Sequence, residues 1–404
     1  MFDIAVIGAG AAGMIAAISA ARENPALKTA VIDAMPVVGK KILATGNGRC
    51  NLSNLNAVSH KYKSREFALG ALKKYDVKFT LDFFKSLGLY TVADSEGRIY
   101  PMSMTAASVS DALRLELVRL GITVITGERV KSVIKSGEFF VIDGRLRAKK
   151  IIVACGGKAS PSQGSDGSGF EILSSLGHKI ITPLPALVQF TSENKIVRSF
   201  KGMRAKGKMA LFAGDKKCGE TQGEILFTEY GLSGIASMDA QRLLCEHIKK
   251  EKCHVCIDLI PSMSEEEICS AIKKTAERDP KRKSENLLIG LLPKRIGQGL
   301  IKCLYIKNDC PVCEIKEEDF TRLSGLIKNF KVYISSYKGF ENAQITRGGA
   351  DVSEFNAETL ESLKVKGLFC AGEVLDVDGA CGGFNLQWAW SSGICAGISA
   401  AKQR

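Results

Sequence analysis

The first 33 residues alternate between apolar and polar positions in a way that predicts two strands separated by a helix. Residues 2–7 are mostly apolar and rich in β-branched side chains, and residues 29–33 repeat this pattern before ending in Asp33. Between them lies an alanine-rich stretch in which residues 11–21 carry no charge. Short apolar runs on either side of a helix are typical of a parallel βαβ unit. The sequence therefore predicts such a unit at its start.

Three glycines stand where the first predicted strand meets the helix. Gly8, Gly10 and Gly13 follow the GxGxxG spacing. The first glycine permits a tight turn, the second lets a pyrophosphate approach the backbone, and the third lets helix and strand pack closely. Asp33 lies where an acid accepts hydrogen bonds from a ribose diol, and its charge disfavours a 2′-phosphate. This pattern predicts a site for FAD or NAD and does not choose between them.

The pattern along the rest of the chain divides it into segments. Short alternating runs predict a small antiparallel barrel or sandwich over 186–261, and charged amphipathic stretches predict helices over 262–335. Glycine-rich sequence returns after residue 345, so we expect one nucleotide-binding domain built from 1–185 and 345–404, with 186–344 inserted. Further helices are predicted at 66–74, 80–87, 105–120 and 169–176.

The last part of the chain carries a second pattern that indicates a bound cofactor. An apolar run ends in Glu373, a glycine-rich turn follows, and a helix rich in small residues is predicted at about 386–401. A strand end and a helix N-terminus supply hydrogen-bond donors and a positive dipole end. Such groups suit the ribityl chain and pyrimidine ring of a flavin and stabilise negative charge on the reduced ring. This segment therefore favours a flavin.

Length and hydrophobicity narrow the class of protein. A chain of 404 residues is long enough for two or three domains with their own cores. No apolar run approaches the roughly 18 residues that a membrane-spanning helix needs. The first residues form a strand pattern without a basic leader segment. We expect a cytoplasmic protein with no membrane segment.

The net charge of +13 raises the alternative of a nucleic-acid partner. Lysine and arginine are spread along the chain and are not gathered in one stripe, which disfavours nucleic acid as a partner. The same charge leaves open an anionic small-molecule substrate.

Thirteen cysteines raise the question of metal binding. Two CxxC pairs, Cys253 with Cys256 and Cys310 with Cys313, are separated by more than fifty residues, which does not fit a zinc ribbon or finger. Other cysteines lie in apolar segments where the thiol acts as a small hydrophobic group. We expect reduced thiols and no metal.

Five segments resemble a bacterial flavoprotein family, described as NAD(P)/FAD-dependent oxidoreductases or aminoacetone-oxidase-like FAD-binding enzymes. The resemblance runs from end to end and implies an α/β fold, with a glutathione-reductase-type, Rossmann-like FAD-binding domain and an inserted β-barrel and helical domain. The segments are GKKILATGNGRCN (39–51), GRIYPMS (97–103), ACGGKASPSQGSDGSG (154–169), GEILFTEYGLSG (223–234) and GLFCAGEVLDVDGACGGFNLQWAWSSG (367–393).

The resemblance also implies which residues hold FAD. The glycines of the fingerprint would bind the pyrophosphate, Asp33 the adenosine ribose and Val130 the adenine, while Lys40 and Lys41 would lie near phosphate or ribityl oxygens. The full set of predicted FAD contacts is Gly8, Gly10, Ala11, Ala12, Gly13, Asp33, Ala34, Gly39, Lys40, Lys41, Gly48, Arg49, Cys50, Asn51, Val130, Ala154, Gly156, Gly372, Glu373, Asp378, Gly382, Gly383, Asn385 and Leu386.

Three residues are predicted to be catalytic, and two of them, Arg49 and Asn51, lie in a loop that the family places against the flavin. Arg49 would anchor an anionic group or stabilise enolate charge, Asn51 would bond a flavin carbonyl, and Tyr100 would donate a proton. Cys50 and Cys381 also fall in predicted flavin-proximal loops. The chain has no CxxxxC pair beside its fingerprint, so we expect two unpaired thiols and not a redox disulfide.

Members of the resembled family are linked to the reduction of conjugated 3-oxo bile-acid enones and to the oxidation of small amines. We expect FAD-dependent reduction of a bile-acid or steroid enone, with hydride passing from the flavin N5. NADH or NADPH as a transient electron donor is left open, because the sequence has no second strand–GxGxxG–helix unit. The alternatives are an aminoacetone-type amine oxidase that produces peroxide and, more distantly, a flavin-containing RNA-binding or redox-sensing protein. The oligomeric state is left open.

Overall fold

The computed structural model describes residues 1–57 and 61–402. They form two compact units. Unit 1 combines Met1–Pro185 with Ala343–Arg404, and unit 2 is Ala186–Asn342. Unit 1 therefore contains both ends of the chain, and unit 2 is one continuous segment between them.

Both units contain β-strands. In chain order these are β1 (Phe2–Ile7), β2 (Thr29–Asp33), β3 (Ser53–Asn54), β4 (Thr91–Ala93), β5 (Arg98–Pro101), β6 (Thr123–Thr126), β7 (Val133–Ser136), β8 (Phe139–Ile142), β9 (Leu146–Val153), β10 (Ile180–Ala186), β11 (Phe190–Thr191), β12 (Arg204–Ala213), β13 (Lys216–Phe227), β14 (Gly231–Ser233), β15 (Cys253–Asp258), β16 (Phe330–Ile334), β17 (Ser336–Tyr337), β18 (Ile345–Ala350) and β19 (Leu368–Cys370).

Both units also contain α-helices. In chain order these are α1 (Ala11–Glu23), α2 (Lys40–Ala44), α3 (Arg65–Lys74), α4 (Val77–Ser86), α5 (Ala106–Arg119), α6 (Ser168–Ser175), α7 (Lys195–Ser199), α8 (Ile235–Leu244), α9 (Glu265–Arg278), α10 (Lys294–Cys303), α11 (Glu317–Lys328) and α12 (Phe384–Lys402).

Unit 1 is built on a sheet whose strand order is β6-β2-β1-β9-β8-β7, with β19 also paired to β9. Strands β6, β2, β1, β9 and β19 run parallel, whereas β8 is antiparallel to both β9 and β7. The central strand β1 is buried over residues 4–7, as expected for a parallel strand covered on both faces. This is a mixed α/β sheet of the Rossmann type, as the sequence predicted.

Helices from opposite ends of the chain pack together beside this sheet. Gly393 and Gly397 of α12 face α1 so closely that an added Cβ at Gly393 would lie 2.5 Å from the carbonyl oxygen of Ala12, and one at Gly397 would overlap that of Ala16. Glycine is therefore required at both positions, because only backbone atoms fit between the helices. The small residues that the sequence places in both helices are explained by this contact.

A three-stranded antiparallel sheet in unit 1 has the order β3-β5-β4. Ile99 of β5 is buried, and it lies opposite Ser53 of β3 and Ala93 of β4. The next residue, Tyr100, lies opposite Val92. The sheet carries the GRIYPMS segment and so holds one of the predicted catalytic residues on a regular strand.

Unit 2 contains a seven-stranded sheet of order β16-β15-β12-β13-β14-β11-β17. Only Ser335 separates β16 from β17, so the two ends of the strand path lie on one continuous stretch of chain and the sheet closes on itself. Its core contains Met209, Phe227 and Val255, and helices α9, α10 and α11 contribute to the same core. Unit 2 is thus a small antiparallel barrel accompanied by helices.

The prediction that residues 262–335 are helical is wrong at its C-terminal end. Helix α11 ends at Lys328, and Phe330–Ile334 form strand β16 beside β15. The residues of β16 alternate between buried and exposed, with Phe330, Val332 and Ile334 inside. That period of two is the signature of a half-buried strand, and the preceding charged helices obscured it.

His178 ties α6 to the segment between β18 and β19. Its Nδ1 lies 2.9 Å from Glu354 Oε2 and its Nε2 lies 2.9 Å from Ser362 Oγ, while its ring stacks on Phe355. Ser362 Oγ already accepts hydrogen bonds from two backbone amides, so its hydroxyl proton points to Nε2. His178 is therefore neutral, with Nδ1–H donating to Glu354, and burial lowers its pKa.

We predict that replacing Gly393 with alanine destabilises unit 1 by about 1–3 kcal/mol, because the added methyl group forces α1 and α12 apart. The matched control is Gly290→Ala, since an added Cβ there meets no atom within 4 Å. The control should change the free energy of unfolding by no more than about 0.5 kcal/mol. Urea unfolding followed by circular dichroism measures both, and equal effects would contradict the packing argument.

We predict that His178 makes the stability of the protein fall in mild acid. A histidine whose pKa is lowered by folding stabilises the folded state fully above its unfolded pKa of about 6.5. That contribution is lost as the pH falls from about 6.5 towards the lower folded pKa. The difference in unfolding free energy between wild type and His178→Gln should therefore shrink from pH 8 to pH 5.5. A difference that stays constant, or an equal change in the partly exposed control His247→Gln, would refute this.

Candidate functional site

Four parallel strands of unit 1 end at the same edge of the sheet. Ile7 lies opposite both Ile32 and Val153, and Cys370 lies opposite Val153. The residues that follow these strand ends therefore meet at one edge, and most of the predicted FAD contacts lie there. Ligands of open α/β sheets bind outside the carboxyl ends of the strands. This edge is the candidate site.

The glycine turn after β1 has the shape that a pyrophosphate requires. Gly8 has a φ of +102°, and an added Cβ would lie 2.5 Å from the carbonyl oxygen of Ala154. A Cβ at Gly13 would overlap the carbonyl oxygen of Gly8, whereas one at Gly10 would meet no atom within 4 Å. Two glycines are thus needed by the fold, and the third borders open space.

Helix α1 begins directly after this open position. Its N-cap, Gly10, provides no side-chain hydrogen bond, and the first turn, which starts with Ala11 and Ala12, contains no acidic residue. The amide groups at the start of α1 and its positive dipole end therefore suit an anion. These features fit the pyrophosphate of FAD.

Asp33 holds the turns at the ends of β1 and β2. Its Oδ2 accepts a hydrogen bond from the amide of Ala9 at 2.5 Å, and its Oδ1 accepts one from the amide of Met35 at 2.7 Å. Ala34 lies between Asp33 and Met35 in the chain. The amide of Glu128 donates to the Asp33 carbonyl, and Val130, two residues further along, is buried. A carboxylate has further lone pairs, so the contact with the adenosine ribose stays a prediction.

The second group of predicted contacts surrounds the segment after Gly39. The amide of Gly39 bonds the carbonyl of Ala9 at 2.8 Å, which brings α2 to the glycine turn. Lys40 Nζ donates to the carbonyl of Ser162, and Lys41 Nζ forms an ion pair with Glu373 at 3.1 Å. Both lysines and Glu373 therefore lie at this edge, held by partners within the protein.

Ala154 and Ala371, which directly follow β9 and β19, complete this edge of the sheet. Ala154 donates its amide to Ile7, and Gly156 has a φ of +72° beside Ser165. The amide of Gly372 donates to Ser392 Oγ at 2.9 Å, and its carbonyl accepts from Trp388 Nε1 at 3.0 Å. Both backbone groups of Gly372 are thus hydrogen-bonded to side chains of α12.

The start of α12 lies next to the loop that carries the predicted catalytic residues. The side-chain amide of Asn51, in its hydrogen-bonded orientation, donates to the Ser53 carbonyl and accepts from the Gly383 amide at 3.2 Å. Asn54 Nδ2 donates to the Gly382 carbonyl at 2.8 Å. Asn385 closes the preceding turn by bonding both backbone groups of Gly379, and Leu386 follows it in the helix. Hydrogen bonds therefore connect the loop that ends at Asn51, and Asn54 just beyond it, to the glycines that precede α12.

Arg49 and Tyr100 lie together, although 50 other residues separate them in the sequence. The Arg49 guanidinium carbon lies 5.1 Å from the centre of the Tyr100 ring, an arrangement that allows a cation–π interaction. Arg49 and Gly48 are exposed, and Tyr100 is only 6% exposed. The structure therefore brings all three predicted catalytic residues into one neighbourhood, since Asn51 follows Arg49 by two positions.

Cys50 points away from the solvent. Its side chain is fully buried, and this burial raises the pKa of the thiol to about 11. Its backbone φ of +57° belongs to the sharply folded 46–51 loop. A protonated, buried thiol is a poor nucleophile, so Cys50 acts as packing inside the loop. Neither Cys50 nor Cys381 forms a disulfide bond with another described cysteine.

An acidic pair lies on the segment before α12. Asp378 is buried and its Oδ1 lies 3.4 Å from Arg347 Nη1. Asp376 forms an ion pair with Lys63 at 3.1 Å, and its burial raises its pKa. Lys63 and Arg347 thus compensate the charges of two buried carboxylates on this segment.

Sequence reasoning missed several residues that organise this edge. Thr346 donates its amide to Glu373 Oε1 at 2.7 Å, and its hydroxyl accepts from the amides of Lys158 and Ala159. Gln387 Oε1 accepts from Ser53 Oγ at 2.6 Å. The only available signal was their location inside the TRGG and GGFNLQW segments, because their partners lie far away in the sequence.

Metal ligands and membrane spans were searched over the described part of the chain. Within residues 1–57 and 61–402, no three His, Cys, Asp or Glu side chains are grouped to hold a metal ion. No helix in these ranges is both long enough and apolar enough to cross a membrane.

The fold and the edge of the sheet define an FAD-dependent oxidoreductase. The family described as "HI0933-like protein Rossmann domain" matches residues 2–399. The chain belongs to this family. This agrees with the resemblance carried by the GNGRCN and AGEVLDVDG segments.

Three relatives match this chain over nearly their whole lengths. The 3-dehydro-bile acid delta(4,6)-reductase of Clostridium scindens is 39% identical, and the alignment covers 100% of both chains. The ribosomal RNA dihydrouridine synthase of Haemophilus influenzae is 28% identical over 98% of each chain. That of Escherichia coli is 28% identical over 97% of this chain and 96% of its own.

We predict that Gly10→Ala impairs FAD binding, whereas Gly13→Ala impairs the stability of the protein. Gly10→Ala should fold normally and lose FAD affinity at least about tenfold, because its methyl group enters the space of the pyrophosphate. Gly13→Ala should lose stability, because its methyl group collides with Gly8. The ratio of flavin to protein absorbance and the melting temperature of the apoprotein separate the two effects. A Gly10→Ala protein that retains FAD as well as the wild type does would contradict the assignment.

Proposed function

We propose that this protein reduces the carbon–carbon double bond of a conjugated ketone on a steroid-type skeleton. The observation that carries this proposal is the pairing of Arg49 with Tyr100 beside the loop that contacts the start of α12. The 39% identical relative, named as a bile-acid delta(4,6)-reductase and matched over the whole of both chains, supports the substrate class.

The residues of the chain have distinct roles in this reaction. Backbone groups around Gly10 and the start of α1 hold the pyrophosphate, and the start of α12 with Asn51 holds the flavin end. When bound, FAD supplies the hydride that the β-carbon of the enone receives. Arg49 stabilises the negative charge on the resulting enolate oxygen, and Tyr100 gives the α-carbon its phenolic proton.

The electrons come in this proposal from NADH or NADPH bound transiently. The sequence has a single strand–GxGxxG–helix unit, which this proposal assigns to FAD. A second dinucleotide therefore has no resident Rossmann site of its own and would reach the flavin only for the transfer.

Reduction of uridine in RNA is the second candidate. Two relatives that match almost the whole chain are named ribosomal RNA dihydrouridine synthases. The uracil ring also contains a carbon–carbon double bond conjugated with a carbonyl, so the same acid and the same anion-stabilising group would serve. The net charge of +13 is compatible with a polyanionic substrate.

An anaerobic reoxidation experiment tests this function. FAD-loaded protein is reduced with NADH, NADPH or dithionite and then mixed with 3-oxochol-4-en-24-oic acid, aminoacetone or ribosomal RNA while the flavin absorbance is recorded. We expect the steroid enone to restore the oxidised spectrum. If no 3-oxo-4-ene steroid reoxidises the flavin, the proposal is contradicted. Reoxidation by RNA alone would favour the second candidate. Bleaching of the oxidised flavin by aminoacetone, followed by peroxide formation in air, would indicate an amine oxidase.

We predict that Tyr100→Phe slows reoxidation by the enone about 100-fold or more, because general acid catalysis contributes at least that factor. The rate of flavin reduction by the electron donor should stay the same. Tyr305→Phe, on an almost fully exposed tyrosine, is the matched control and should leave both rates unchanged. An unchanged reoxidation rate in Tyr100→Phe would remove Tyr100 as the proton donor.

A further inference from the structure

One face of the β4–β5 hairpin is apolar, and three of its four side chains are exposed to solvent, while the fourth, that of Tyr100, is only 6% exposed. Tyr100 and Val92 lie directly opposite each other, and the Met102 amide bonds the Tyr90 carbonyl one register step further along. Because side chains alternate along a strand, Tyr90, Val92, Tyr100 and Met102 share one face. We call these four residues the hairpin face.

The exposure of this face is unusual for an antiparallel sheet. Tyr90 is 57% exposed, Val92 45% and Met102 64%, whereas Ile99 on the other face is fully buried. A sheet with one buried face normally presents polar side chains on its solvent face. A contiguous exposed apolar surface instead marks a place where something binds.

A cation without an anionic partner among the described residues borders the hairpin face. Arg49 lies over Tyr100, and among residues 1–57 and 61–402 its side chain bonds only the Gly46 carbonyl. By contrast, Arg98 at the far end of the hairpin is neutralised by ion pairs with Asp94 and Glu96. An apolar surface with one uncompensated positive charge at its border is complementary to an apolar ketone whose oxygen becomes negative as the double bond is reduced.

The hairpin face is also continuous with the candidate FAD site. Asn54, on the strand beside β5, bonds the Gly382 carbonyl, and Asn51 bonds the Gly383 amide. The loop that carries Arg49 therefore links the face to the start of α12. A molecule lying on the face with its polar end at Arg49 would remain next to this loop.

We propose that the hairpin face is the docking surface for the apolar skeleton of a steroid enone, and that the ketone end of the skeleton lies at Arg49, which stabilises the developing enolate. This inference rests on the proposed function and adds the residues that select the substrate.

Binding to the oxidised holoenzyme tests the proposal without turnover, because no electron donor is present. Isothermal titration calorimetry with 3-oxochol-4-en-24-oic acid is carried out on wild type, Val92→Glu, Met102→Glu and the milder Met102→Gln. Ile134→Glu is the matched control, since Ile134 is 62% exposed on β7 of the same unit. Flavin content and melting temperature verify that each variant is folded and loaded.

We expect the Kd to rise about tenfold in Val92→Glu and Met102→Glu, because each loses apolar contact area and gains a like charge, and to change less than twofold in Ile134→Glu. Arg49→Gln should change the Kd of the acid and the Kd of the neutral 4-androstene-3,17-dione to the same extent, because the two molecules share the ketone end. A larger loss for the acid would place the carboxylate at Arg49 and overturn this orientation. Should the Kd stay the same in both glutamate variants, the hairpin face is not the docking surface, even if wild type reduces the enone.

Two further outcomes identify which proposal has failed. A change of oligomeric state in Val92→Glu, measured by size-exclusion chromatography with the Kd unchanged, would show that a second copy of the chain covers the face, which overturns the inference alone. A wild-type holoenzyme that neither binds nor reduces any steroid enone would overturn the proposed function and the inference together.

Discussion

The close contact between α1 and α12 is the constraint on which the site depends. Gly393 faces Ala12 at backbone distance, and Gly13 faces Gly8 in the same way. These contacts bring the first and the last helix of the chain onto one sheet edge. Without them the glycine turn and the start of α12 would not border the same space. The small residues of both helices therefore have a structural role that precedes any contact with FAD.

Around this contact, the site is assembled from segments far apart in sequence, each held by buried hydrogen bonds. Gln387 and Ser53 join α12 to the strand that precedes the β4–β5 hairpin, and Glu373 joins Lys41 to Thr346. Such cross-links restrict the loop that presents Arg49 and Asn51. Lys41 and Glu373 form an ion pair inside the protein, whereas Arg49 has no anionic partner within 1–57 and 61–402 and is available to a negative charge on the ligand.

The sequence predicted the parts of the fold that local patterns determine. The βαβ unit, the terminal helix and most helices of unit 1 follow from apolar periodicity and from the glycine spacing. Strand β16 was missed because its five residues follow a charged helix directly, and a short alternating run carries little weight beside a long periodic one. Arg49 and Tyr100 were predicted separately and their pairing was not predicted, since nothing local links residues 51 positions apart. The hairpin face was invisible in the sequence, because it depends on which residues of β4 and β5 lie opposite each other.

The relatives are named for two substrate classes, 3-dehydro-bile acids and ribosomal RNA, and both contain a double bond conjugated with a carbonyl. One arrangement of a proton donor and a cation can therefore serve both classes. The surface that binds the substrate must distinguish them. The most direct test is a crystal structure of the FAD-loaded protein with 3-oxochol-4-en-24-oic acid. The account predicts the pyrophosphate against Gly10 and the first turn of α1, with the steroid next to Arg49 and Tyr100. A dinucleotide bound elsewhere, or a steroid bound away from these two residues, would contradict it.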